Sequence, residues 1–271
     1  MHLILTGATG LVGTSVLAHV IASSSASSTS RKVTKLSILS RNTNIPYLQK
    51  FPLTATSPLE INVIQHKDFE SYPSELLKRL EGADGVVWAL GVSQNDVQTE
   101  AEYVQITKTY AEKAAEAFKS IPNKGQGRGD DALNFVFVSG NGATWKPGIF
   151  TPLFGRVKGQ TEKSLLEMGQ ADGALRFYNV RPGAVDPQNE LDVQEAIFPK
   201  FLNTTTKKAL WHVLVPIIRV AYQRGMSPTK EMATVMTDLA LGDGQPLQGS
   251  DIENEGRTVT TIALRRLGGL S

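Results

Sequence analysis

The stretch HLILTGATGLVG, residues 2–13, limits what this chain can fold into more than any other segment. A short apolar run reads as a strand, and Gly7, Gly10 and Gly13 follow it at intervals of three. Directly afterwards LVGTSVLAHVIAS carries apolar residues at helical spacing. Glycine lets a backbone turn tightly and approach a ligand closely. A helix opening at such a turn presents free N–H groups and the positive end of its dipole to an anion. Strand, turn, helix and a further strand, VTKLSILSR, all fall within the first 41 residues. That context makes Gly7, Thr9, Gly10, Leu11, Val12 and Gly13 the expected cradle for a dinucleotide pyrophosphate.

The remaining pattern extends this unit. Short apolar runs at LEINVIQ (59–65), GVVWALG (85–91), LNFVFVSG (133–140) and LRFYNVRPG (175–183) suit strands buried on both faces. Helical patterns separate them at residues 74–82, 99–120 and 155–169. Such alternation predicts an α/β fold, a doubly wound parallel sheet covered by helices. The Ser-rich segment 23–32 and the Gly-rich segment 121–132 read as surface loops. After residue 183 the alternation fades, leaving one or two helices and a final GRTVTTIALRRLGG. The expected division is a cofactor domain over residues 1–190 and a small helical C-terminal substrate lobe over 191–271, packed as one unit.

Composition removes several classes of function. Lys and Arg total 28 against 26 Asp and Glu, so a formal charge of +2 argues against nucleic acid as a partner. The chain has no cysteine, hence no disulfide, thiolate nucleophile or Cys-ligated zinc. His66 and His212 are lone histidines outside any cluster of His, Asp and Glu at ligand spacing, so no metal is expected. No G-x-S-x-G elbow of a hydrolase occurs. A strand-like run that starts at residue 2 leaves no room upstream for a secretory leader, and a cytoplasmic protein is expected. The apolar stretch ALWHVLVPIIRVAY, 209–222, is interrupted by His212, Pro216 and Arg219 and reads as a buried or pocket-lining helix rather than a membrane span.

The end of the second strand selects the cofactor. An acidic residue there would bind a free adenosine ribose and repel a 2′-phosphate; this chain has Ser40, Arg41 and Asn42. A guanidinium can stack on adenine and pair with the phosphate, so NADP(H) is favoured over NAD(H). Asp68 and Phe69, after the third strand, lie at the expected adenine position, with Asp68 either contacting the base or capping a turn. Ala89, Leu90 and Gly91, after the fourth, are small or smooth enough for close backbone approach to the cofactor.

Taken together, TGATGLVG, the ALG after the fourth strand, FVFVSGNGA, FGRVKGQTEKSL and YNVRPG resemble the short-chain dehydrogenase/reductase superfamily. The order is most similar to its atypical branch of Tat-interacting-protein-like and nucleoside-diphosphate-sugar-epimerase-like proteins, over roughly residues 1–190. The resemblance implies a Rossmann sheet of about seven strands with NAD(P) across its carboxyl edge. It also implies a Tyr-x-x-x-Lys pair and an upstream serine as the catalytic set. Lys158 matches the lysine, Pro182 and Gly183 match the turn flanking the nicotinamide, and Phe154 stands in the tyrosine's place. Ser139 is the counterpart of the serine, but Gly140 follows it where that branch commonly has a second serine. Asn141 and Thr144 are alternative hydrogen-bonding groups nearby.

Two readings follow from these departures. One is an atypical NADP-dependent oxidoreductase acting on a small carbonyl or alcohol substrate; the other is a non-catalytic NAD(P)-binding sensor or scaffold. Phe198, Phe201, Leu202, Trp211, Val215 and Ile218 could wall an apolar pocket, with Trp145 and Phe150 opposite, or could serve as core. Tyr103, Tyr110 and Tyr178 read as packing residues. Ser227 and Pro228 read as the cap and first turn of a helix over 227–240. A homodimer is compatible with this pattern.

Overall fold

A computed structural model describes residues 1–25, 32–53, 57–122 and 132–270, so most of the two segments read as surface loops lies outside it. All six apolar runs are strands: β1 (His2–Thr6), β2 (Lys35–Ser40), β3 (Glu60–Gln65), β4 (Gly85–Trp88), β5 (Leu133–Val138) and β6 (Leu175–Val180). They pair in parallel in the order β3-β2-β1-β4-β5-β6. Successive side chains of a strand face opposite ways, and β1 shows the result. Leu3 and Leu5 join one core and Ile4 the other, all fully buried.

Helices cover both faces. The first core is closed by α1 (Leu11–Ser25), α7 (Leu191–Phe201) and α9 (Thr229–Leu241), which contribute Val16, Val20, Val193, Met232 and Met236. The second is closed by α3 (Ser74–Arg79), α5 (Tyr110–Phe118) and α6 (Leu153–Asp172). Here Trp88, Phe135 and Phe177 pack in a row, with ring centroids 5.7 and 5.3 Å apart, against Phe118 and Leu165. This is the doubly wound architecture expected.

Several details differ from the expectation. The sheet has eight strands rather than about seven, because β10 (Thr258–Val259) adds in parallel to β6 and β9 (Ile252–Glu253) pairs antiparallel with β10. Two-residue strands carry too little periodicity to be read from sequence. The C-terminal part holds four described helices, not one or two: α7, α8 (Thr205–Ala221), α9 and α10 (Thr261–Leu267). Ser227 does not cap α9. It lies in β8 (Met226–Pro228), paired with β7 (Ala184–Asp186), and its Oγ accepts a 3.0 Å hydrogen bond from the Gly183 N–H. Pro228 takes the cap position, and a residue before proline is driven to extended backbone, which suits a strand.

The long helix over 99–120 is also not uniform. It divides into α4 (Glu100–Val104), a π-helical segment (Gln105–Thr109) and α5. Thr99 caps its start by accepting from the Glu102 N–H.

Candidate cofactor cleft

Strand order reverses between β1 and β4, and in open α/β sheets a ligand crevice forms outside the carboxyl ends of the strands at that point. A cleft of about 1050 Å³ lies there. Gly7, Thr9, Gly10, Leu11, Ser40, Arg41, Asn42, Phe69, Ala89, Leu90 and Gly91 line it, which brings together most of the sequence-derived cofactor set.

The glycine turn is packed to its limit. Gly7 has φ +73°, and a Cβ there would sit 2.2 Å from the Ala89 carbonyl oxygen. At Gly13 a Cβ would meet the Gly7 carbonyl oxygen at 2.2 Å, so the first turn of α1 presses on the loop itself. The Gly10 N–H bonds the Gly7 carbonyl at 2.9 Å and Thr14 Oγ1 donates to the Ala8 carbonyl at 3.0 Å. Across the switch point the Leu90 N–H donates to Thr6 Oγ1 at 3.1 Å. Gly13 and Val12 therefore support the turn from behind and do not line the cleft. Gly10 is exposed on the cleft side, with no side chain between its backbone and the cleft.

Of the pair after β3, Phe69 is fully buried and lines the cleft, braced edge-on by His66 with centroids 4.9 Å apart. Asp68 is exposed and is not among the lining residues; its carboxylate accepts from the Glu70 N–H at 3.0 Å, the geometry of a capped turn. Arg41 is exposed at the cleft, and Ser40, one residue earlier, is buried and accepts from the Asn42 N–H at 3.3 Å.

The group implied by the family resemblance sits beside this cleft, at the ends of β5 and β6, and not among its lining residues. Two glycines one turn apart in α6 determine its geometry. A Cβ at Gly155 would lie 2.5 Å from the Gly142 carbonyl oxygen, and one at Gly159 would lie 1.9 Å from that of Thr144. Helix α6 therefore rests backbone to backbone on the loop that follows β5. Lys158, between those glycines, lays its chain along Gly140 and donates to the carbonyls of Val138 and Ser139 at 3.0 and 2.9 Å. Phe154, one turn earlier, places its ring tip against Gly142, and its N–H donates to Gln94 Oε1 at 2.9 Å. Ser139 Oγ is buried with no hydrogen-bond partner, while the Ser139 N–H is used by the Val180 carbonyl at 2.8 Å.

Burial pulls the Lys158 ammonium down to about 8, opposed by the Glu162 carboxylate on the next turn. The protein thus binds fewer protons at this site than the unfolded chain does between about pH 8 and the ordinary lysine value of 10.5. Stability then rises with pH across that window and falls as pH drops through 8. Comparing urea midpoints of wild type and Lys158→Met at pH 7.5 and 10 should show this rise in the wild type and its loss in the variant.

Sequence reasoning missed Glu162 and Arg181. Fully buried Glu162 takes two hydrogen bonds from Arg181, at 2.8 and 2.6 Å, and one from Trp145 Nε1 at 3.1 Å. Arg181 also pairs with Glu253 at 2.7 Å, tying α6 and β6 to the sheet edge. The only signal was an arginine before Pro182 and a glutamate four residues after Lys158. Pro182 and Gly183 continue this edge: the Pro182 carbonyl accepts from the Asn141 N–H at 2.8 Å.

Helices α7 and α8 form the outer wall. Phe201, Leu202, Trp211, Val215 and Ile218 line the cleft, as does Tyr110 from α5. Phe198 instead packs on Trp211, with ring centroids 5.0 Å apart. Trp145 and Phe150 do not line the cleft; Phe150 is 95% exposed. Helix α8 lines the pocket, and among its described side chains Leu214, Ile217 and Val220 are exposed. Tyr103 and Tyr178 are core residues, and the side chain of His212 lies outside the described set. Among the described residues no group of three His, Asp or Glu could hold a metal, and no helix is long and apolar enough to cross a membrane.

No family model matches the chain. It is 39% identical over 145 residues to botcinic acid biosynthesis cluster B protein 16 of Botryotinia fuckeliana, an alignment covering 52% of this chain and 89% of that protein. The two belong to one family. A further relative, leucinostatins biosynthesis cluster protein T of Purpureocillium lilacinum, is 28% identical over 283 residues, covering 98% and 94% of the two chains. Among solved structures, a short-chain type dehydrogenase/reductase from Mycobacterium ulcerans superposes with a TM-score of 0.60 at 13% identity, covering 97% of this chain and 89% of that one. L-sorbose reductase from Gluconobacter frateurii, solved with NADPH and L-sorbose, gives 0.57 at 13% identity, covering 97% and 95%. The family member described here thus has the short-chain dehydrogenase/reductase fold, in which structural neighbours bind nicotinamide cofactors.

Proposed function

We propose that the protein is an NADP-dependent oxidoreductase that modifies an apolar carbonyl or alcohol intermediate in a biosynthetic sequence. The observation carrying this reading is the convergence at one sheet edge of a glycine turn with no room for side chains, a cleft-facing Arg41, and a lysine anchored on the carbonyls of β5. Two relatives bear the names of biosynthesis clusters, which favours a tailoring step. The outer wall of Phe201, Leu202, Trp211, Val215 and Ile218 favours a substrate with an apolar body.

The residues fit NADP(H), which when bound would supply hydride-transfer chemistry. The glycine turn would receive the pyrophosphate. Arg41 and Ser40 would take the 2′-phosphate, and Lys158 would hold ribose hydroxyls. Ser139 Oγ, buried and without a partner, has hydrogen-bonding capacity to spend on a substrate oxygen. Phe154 contributes no proton, so the substrate oxygen would be protonated by water or by a group of the substrate.

The second reading, a cofactor-binding sensor without turnover, is favoured by the same Phe154, which leaves no hydroxyl one helical turn before Lys158. Titration with NADPH and NADH, followed by incubation with a panel of aldehydes, ketones and quinones, separates the two. Cofactor consumption supports the oxidoreductase; tight NADPH binding with no consumption by any member supports the sensor. NADPH should bind more tightly than NADH, and Arg41→Ala should narrow that gap about tenfold or more, since a charge-assisted contact is lost. Equal affinity for the two cofactors in the wild type would remove the argument from Arg41.

A further inference from the structure

The cleft carries basic residues from two separate parts of the chain. Arg41 follows β2, and Lys200 lies in the last turn of α7. Among the described lining residues these are the two basic ones, and neither forms an ion pair with a described residue. Both are exposed, so each ammonium or guanidinium is available to a ligand.

Packing joins the two parts of the chain. Helix α7 is tied to α2 (Pro46–Lys50), which begins five residues after Arg41, at two points. Tyr47 Oη donates to the Asp192 carboxylate at 2.5 Å, and Lys50 pairs with Glu195 at 3.0 Å. Lys200 lies five residues beyond Glu195, about 7.5 Å along the axis at ~1.5 Å per residue. Lys200 lines the same cleft as Ser40, Arg41 and Asn42.

We propose that Lys200 is a second determinant of cofactor choice, acting with Arg41 to hold a phosphate monoester on the adenosine ribose. A phosphate monoester carries a charge of about −1.5 to −2 near neutral pH, which two cations match better than one. Cofactor choice is then set jointly by β2 and by the helix that also walls the substrate side. This rests on the NADP reading above, but its test reads binding alone.

The probes are adenosine 2′,5′-bisphosphate and 5′-ADP, titrated calorimetrically into the full-length protein. Lys200→Ala should weaken the 2′,5′-bisphosphate by about tenfold or more and leave 5′-ADP nearly unchanged. Lys200→Arg should restore most of the loss. An equal weakening of both probes, or no effect on either, would overturn the proposal. A wild type that binds neither would overturn it together with the cofactor reading. Discrimination that depends on Lys200 in a protein with no turnover would support the proposal while sinking the oxidoreductase.

Discussion

Phe154→Tyr should raise the rate of carbonyl reduction by about 10²- to 10⁴-fold, the usual range for a positioned general acid. Phe154 and Lys158 are one turn apart on α6, and the lysine is already anchored on the Val138 and Ser139 carbonyls. The missing part is one hydroxyl. The ring tip of Phe154 rests against Gly142, a residue with φ +94° and no side chain of its own. The cationic Lys158 would lower the new phenol's pKa toward the working range. The gain should appear in kcat, with NADPH affinity little changed, because the substitution adds an interaction used in the transition state. A variant that binds NADPH and folds as the wild type does, yet turns over no faster on any carbonyl tested, would show that the substrate does not approach this position.

Gly159→Ala should destabilise the fold by about 1–3 kcal/mol or more, the scale of overpacking in a rigid site. The added Cβ would meet backbone, the Thr144 carbonyl oxygen at 1.9 Å, so no side-chain rotation can relieve it. Either α6 lifts or the loop after β5 retreats. Both movements shift Lys158 relative to the carbonyls it binds, so NADPH affinity should fall along with the denaturation midpoint. Gly148→Ala, in the same connection but with nothing nearer to its Cβ than the Thr151 hydroxyl at 4.0 Å, is the control. A Gly159→Ala protein as stable as the control would mean that the close approach of α6 to the loop is not a constraint.

The parts of this molecule legible in sequence are those set by local repetition. Six strands, the glycine turn and the register of Phe154 and Lys158 all follow from period and spacing, although β3, expected to be buried on both faces, is an edge strand and only partly buried. What stayed hidden depends on partners distant in sequence. Ser227 looks like a helix cap until β7 is placed beside it. Glu162 looks like a surface glutamate until Arg181 and Trp145 close around it. That Asp68 caps a turn shows only once the Glu70 N–H is placed beside its carboxylate. The apolar residues of α8 could be core or pocket wall by sequence alone, and the structure places several of them along the cleft while others are exposed.

The π-helical segment at Gln105–Thr109 decides which side chains this wall turns toward the cleft. Such a segment is what an α-helix becomes when it absorbs one extra residue without losing either end. One residue rotates everything downstream by about 100° relative to an uninterrupted helix, as 3.6 residues make a turn. Tyr103, before the segment, stays in the core, while Ile106 within it and Tyr110 just after it line the cleft. The wider turn thus leaves Tyr103 in the core and presents Tyr110 to the cleft, while the strands beneath keep their parallel order.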